Sequence, residues 1–184
     1  MGFIEDALGR EVSAAGVVII AIAVALVLHA IVYAIARRVA ARTESSLDES
    51  MLRHTRNPAR MLFSVAAVFL ALPWIDVDQD VLQIVREVNL VVGILALGWL
   101  GIALTRVGYD AVMSRFPADV EDDQRARQME TQLSILQRMG SIIIGLLAVA
   151  LAALTIPGVQ PLAASLLASA GILGIVLGVA AGPV

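Results

Sequence analysis

The sequence predicts an all-α integral membrane protein with five transmembrane helices, its N-terminus outside and its C-terminus at the cytoplasmic face. Three observations carry that expectation. Hydrophobic residues fill 59% of the 184 positions and mean hydropathy is +0.88, above the range of a soluble globular domain. Charged residues make up only 16% and cluster between apolar runs. The 13 basic residues are all arginine, and they alternate from one loop to the next.

Residues 1–13 carry Glu5, Asp6 and Glu11 against Arg10, with Phe3, Ile4, Ala7 and Leu8 at helical spacing. They predict a short external amphipathic segment. A secretory signal would start basic and end in a small-residue cleavage site, so the first span is expected to be retained. That span covers about 14–36, with Tyr33 near the end that meets Arg37-Arg38. Six arginines follow between Arg37 and Arg60. Asn57-Pro58 is expected to open the second span, about 59–75, because proline is tolerated in a first turn where its missing N–H has no partner to lose. Trp74 marks the opposite interface. Residues 14–75 thus form two transmembrane helices joined by a cytoplasmic Arg-rich loop. An acidic loop with Asp76, Asp78, Asp80 and Glu87 leads to a third span, about 88–105, containing Gly93, Gly98 and Gly101.

The polar stretch 106–138 holds five arginines and six acids, with Pro117 and the acidic run 119–123 suggesting a turn. A fourth span follows at 139–156, so 88–156 is a helix pair with a polar cytoplasmic connector. Pro157-Gly158-Val159-Gln160-Pro161 turns tightly into the fifth span, 162–184. Loops after spans one and three hold six and five arginines, against one and none after spans two and four. The positive-inside bias then sets the orientation and puts the chain in the cell's inner (plasma) membrane as a multi-pass protein.

The fifth span carries the candidate site. Gly171, Gly174, Gly178 and Gly182 are spaced 3, 4 and 4 apart, and Ala164 and Ala168 extend the same strip. Glycine costs about 1 kcal/mol relative to alanine inside a helix, and close backbone approach between membrane helices is the usual compensation. With Ala164 at zero, the glycines fall between about −80° and 0° while Ile175 and Val179 fall at about 20° and 60°. Identical helices in a ring can press an aliphatic flank into a neighbour's glycine flank, a heterologous contact that closes when the rotation is right. Ile175 and Val179 then face the axis as an apolar constriction of the kind that gates by dewetting.

The stretch from about Gln132 to Val184 resembles the pore-forming part of the mechanosensitive channel of small conductance (MscS) family. The matching features are the turn 157–161, the Ala-Ser-Ala-Gly at 168–171, and the glycine series ending in Gly178-Val179-Ala180-Ala181. The resemblance implies a homo-heptamer of subunits, a pore lined by the last helix for permeant ions, and a constriction at Ile175 and Val179. It also implies that 88–156 is the tension-sensing pair and that spans one and two are additions. Gly182-Pro183 stands where many members carry a glutamine. The sequence stops at Val184, where members continue into a cytosolic β-rich domain, so the implied likeness is to the membrane part alone.

Elsewhere the residues speak less. Asp76-Val77-Asp78-Gln79-Asp80 with Glu87 mimics calcium-loop spacing, but Val81 stands where the turn requires glycine, and a solvated acidic loop is the expectation. His29, inside the first span, is read as a neutral ring bonded to a neighbouring helix. Arg53, Arg56 and Arg60, with His54, are candidates for binding anionic lipid headgroups or simply determinants of topology; Arg125, Arg127 and Arg138 invite the same pair of readings. No HExxH, GxSxG, P-loop or cysteine is present, so no enzyme, metal or cofactor is expected, and no basic aromatic-studded face predicts nucleic acid. The alternative to a channel is a non-conducting membrane anchor or interaction subunit packing with full-length relatives. A small transporter is disfavoured because no span carries a charged substrate site.

Overall fold

The computed structural model describes residues 2–40, 46–75, 77–114 and 123–180, with side chains from Ser13 onward except those of 46–49, 123–127, Leu177 and Ala180. Five helices account for them: α1 (Gly2–Ala40), α2 (Ser46–Ala71), α3 (Gln79–Met113), α4 (Asp123–Leu154) and α5 (Gln160–Ala180). A single 3-10 turn, Leu72–Trp74, follows α2, and no strand occurs among the described residues. Four helical stretches, Ser13–Ala40, Ser50–Trp74, Gln79–Met113 and Gln128–Leu154, are long and apolar enough to cross a membrane. The fifth helix is 21 residues long, with an apolar described stretch from Gln160 to Val176.

Three boundaries differ from expectation, each for a local reason. α1 is continuous from Gly2, so the acidic first 13 residues share one helix with the apolar run behind them. Nothing at Ser13-Ala14 breaks a helix. α2 begins at Ser46, and Pro58 therefore lies inside a helix rather than at its opening. Pro58 is fully buried, and its lost N–H is offset by packing, as prolines in apolar helices are. α3 begins at Gln79, which absorbs most of the expected acidic loop. Asp80 in the first turn suits the positive end of the helix dipole, and Gln83 Nε2 donates to Glu87 Oε1 at 2.8 Å one turn on. Asp76 and Pro117 lie outside the described residues.

Each helix packs on the one that follows it, so the five make an open row rather than a closed bundle. The seams are built from small residues. Among the described apolar residues, the buried ones are Ala25, Ala71, Ala96, Ala103, Ala148, Ala152 and Ala163, with Ile75 and Pro58 the larger exceptions. Large side chains such as Ile19, Leu28, Leu70, Leu97, Ile143 and Leu146 point outward instead. An interior of alanine inside a shell of branched aliphatics is the reverse of a water-soluble protein, and it suits a solvent as apolar as the side chains themselves.

The α3–α4 seam is the tightest. Gly98 faces Ala148, a Cβ at Gly101 would meet Ile144 Cγ2 at 2.9 Å, and one at Gly145 would meet Ile102 Cδ1 at 3.7 Å. Thr105 Oγ1 and Ser141 Oγ join across it at 2.9 Å. On the α2–α3 seam, buried Asn89 donates from Nδ2 to the Val65 carbonyl at 3.1 Å, and the Arg86 guanidinium lies 5.8 Å from the Phe69 ring centroid.

Candidate functional site

The α4–α5 connection turns on Gly158, whose φ of +88° is the one positive value among the described residues. Val159 N donates to the Ile156 carbonyl at 3.2 Å, and the Val159 carbonyl accepts from Leu162 N and Ala163 N at 3.1 Å, starting α5. Pro161 then sits in the first turn, where a missing N–H costs nothing.

α5 leaves its own chain almost at once. Ala163 is only 2% exposed and Leu167 is half-buried, one turn further on. From Ala168 to Val179 every described side chain is exposed. Ile175 is 69% and Val179 77% exposed, on a helix that also presents Ile172, Leu173 and Val176 outward. Ala164 and Ala168 are exposed as well. A Cβ built on Gly171, Gly174 or Gly178 would find no heavy atom within 4 Å. Gly182 lies outside the described residues. Gly93, Gly98, Gly101, Gly140 and Gly145 of α3 and α4 meet a neighbouring helix, whereas Gly108 and the described glycines of α5 are left open.

The arginines of α2 separate into three environments. Arg53 places a guanidinium nitrogen 3.9 Å from Asp110 Oδ2 on α3. Arg56 lies 5.8 Å from the ring centroid of Tyr33 on α1. Arg60 makes no ion pair among the described residues and lines a cleft between α1 and α2 with Leu26, Asn57, Met61 and Ser64. Arg138 is exposed on α4, and the side chains of Arg125 and Arg127 lie outside the described ones.

Sequence reading missed the partner of Arg53. Buried Ser50 donates its hydroxyl to Asp110, and His54 Nδ1 lies 3.7 Å from the same carboxylate and 3.1 Å from the Ser50 carbonyl. The residue types match a hydrolytic triad, but the order does not. A triad needs the imidazole between hydroxyl and carboxylate, and here the hydroxyl bonds the carboxylate directly. The arrangement is a clamp joining the start of α2 to the end of α3. The signal that could have found it is Asp110, a lone acid nine residues before the acidic run begins, facing the half-apolar start of α2.

His29 is buried, as expected, with the Arg56 backbone of the neighbouring α2 as its hydrogen-bonding neighbour. Its Nε2, like the Tyr33 hydroxyl, has no partner of normal geometry. The ring is held by stacking, 5.4 Å from Tyr33 at 26° and 5.4 Å edge-on from Phe63 of α2. Comparison with family models, with curated proteins and with solved structures gives no match.

Proposed function

We propose that the chain is the membrane module of an MscS-like mechanosensitive ion channel, set in the inner (plasma) membrane and assembled as a homo-oligomer through α5. Seven subunits would follow from the family resemblance. The observation that supports this most directly is the unoccupied small-residue edge of α5. Three uncommitted glycines, Gly171, Gly174 and Gly178, on a 21-residue apolar helix are hard to account for in a monomer, since each weakens the helix by about 1 kcal/mol. They are accounted for if copies of α5 meet there, because small residues are what lets membrane helices approach closely.

In such a ring the α4 contact, which buries Ala163 and half-buries Leu167 near the start of α5, leaves the exposed stretch beyond Ala168 free to pack on its neighbours. Ile175 and Val179 form two apolar rings about 6 Å apart along the axis, a constriction that excludes water until it widens. Bilayer tension acts on the row α1–α4, whose outward face is aliphatic along its length, and the row pulls on α5 through the Gly158 turn. Widening the ring wets the constriction and releases ions and small solutes on osmotic downshock. No cofactor is required.

The test is survival of a channel-deficient host under osmotic downshock when it expresses this chain, paired with patch recordings from its membranes. Protection together with tension-activated conductance is the expected result. A well-expressed protein that neither protects nor conducts would reject the channel and leave the non-conducting anchor.

A further inference from the structure

We propose that the cleft between α1 and α2 binds the phosphate of an anionic phospholipid, with Arg60 as its anchor. The sequence offers three equivalent arginines on α2, and the structure makes them unequal. Arg53 has the Asp110 carboxylate beside it and Arg56 has the Tyr33 ring. Arg60 has neither, and it opens onto a cleft of about 370 Å³.

The cleft wall has a head and a tail. Asn57, Arg60 and Ser64 recur at three- and four-residue spacing on one face of α2; Asn57 and Arg60 supply amide and guanidinium donors, while the Ser64 hydroxyl donates to the Arg60 carbonyl at 3.1 Å. Leu26 of α1 and Met61 supply apolar surface beside them. A guanidinium presents parallel N–H donors that fit a phosphate in two-point contact. The combination suits a ligand that is anionic at one end and aliphatic at the other.

Depth gives the second argument. Beyond Arg60, the uncharged run Met61–Ile75 measures about 22 Å at 1.5 Å per residue, against a hydrocarbon core of about 30 Å. With Trp74 at the far interface, Arg60 lies inside the near edge of that core. A charge at that depth is unfavourable unless it is partnered or reaches outward. Helical side chains lean toward their own N-terminus, which for α2 is the arginine-rich end, so Arg60 leans toward the headgroups. A phosphate drawn into the notch completes its coordination. This inference rests on α2 lying in a bilayer and not on α5 lining a pore.

The experiment uses the full chain in mild detergent, mixed with equal amounts of phosphatidylglycerol and phosphatidylcholine and read by native mass spectrometry. Wild type is expected to retain phosphatidylglycerol by about fivefold over phosphatidylcholine, the ratio that one arginine–headgroup contact gives. Arg60→Gln should bring the ratio to parity, Arg60→Lys should leave an intermediate preference, and Arg53→Gln should leave the wild-type one. Ser64→Leu fills the cleft without changing charge and should reduce retention of both lipids, which covers the case in which R60Q folds poorly. No preference in wild type, or an unchanged preference in a well-folded R60Q, overturns the proposal. So does displacement by inorganic phosphate beyond that by chloride at equal ionic strength, which would mark a free-anion site. Loss of self-association in R60Q with lipid preference intact would overturn it too, by assigning Arg60 to a carboxylate of a second copy.

Discussion

A methyl group built on Gly98 would collide with the Cβ of Ala148, so α3 and α4 touch through a glycine that has no smaller substitute. Gly98→Ala is therefore expected to destabilise the seam despite its better helix propensity. Overpacking costs about 1–3 kcal/mol, and the propensity gain returns about 1. Adding Ala148→Gly to Gly98→Ala removes the collision and should recover most of the loss. Thermal unfolding of the two single variants and the double variant in one detergent checks the coupling. Additive effects would show that the two residues do not meet.

The Ser50–Asp110 clamp predicts a graded series. Asp110→Ala leaves the buried Ser50 hydroxyl without its acceptor and should cost about 1–3 kcal/mol. Asp110→Asn keeps an acceptor oxygen and should cost less. Arg53→Ala should cost under about 1 kcal/mol, because that guanidinium is 73% exposed and its partner is screened by water. Melting temperatures in a single detergent give the order. Arg53 outranking Asp110 would mean that the charge pair, not the hydroxyl, holds α2 to α3.

Gly158 turns the chain between α4 and α5 with a φ of +88°, and no atom crowds its open side. Gly158→Ala is thus a test of backbone alone, with an expected cost of about 1–2 kcal/mol. Gly158→Asn should be milder, since asparagine tolerates the left-handed region. Equal stability of all three proteins would show that the turn relaxes to another conformation.

The proposed pore makes the sharpest functional prediction. Val179→Ser places a hydroxyl ring in the constriction and should yield a channel that leaks without tension and slows growth of its host. Gly178→Leu adds bulk where one copy of α5 would meet the next, and should reduce oligomer size in mild detergent. Because position 178 has open space around it within the chain, the same substitution should leave subunit helicity unchanged. Wild-type conductance from both variants would refute the ring.

Much of the fold was legible because apolar runs bounded by arginines specify helices through composition alone. The errors fell where one residue type has two positional meanings. Asn57-Pro58 suits the start of a helix, yet Pro58 is buried in the middle of one, and local sequence does not distinguish a first turn from an interior whose packing offsets the lost hydrogen bond. The acids at 78 and 80 suit a solvated loop, but the start of a helix favours carboxylates equally. At the candidate site, the glycine strip of α5 was visible as a period. Which glycines the chain itself consumes was not, because Gly98 and Ala148 are fifty residues apart and only packing brings them together. The same holds for Arg53 and Arg56 of α2, whose partners come from α3 and α1.

The alanine-lined seams carry a consequence for how this protein tolerates change. Soluble proteins accept enlargement at the surface and suffer when interior residues shrink. Here the rule is turned inside out: trimming an outward leucine removes little, because lipid refills the space, whereas one extra carbon at Ala96, Ala103, Ala148 or Ala152 pries two helices apart. A saturation library would accordingly show its deepest intolerance at the plainest positions of the chain.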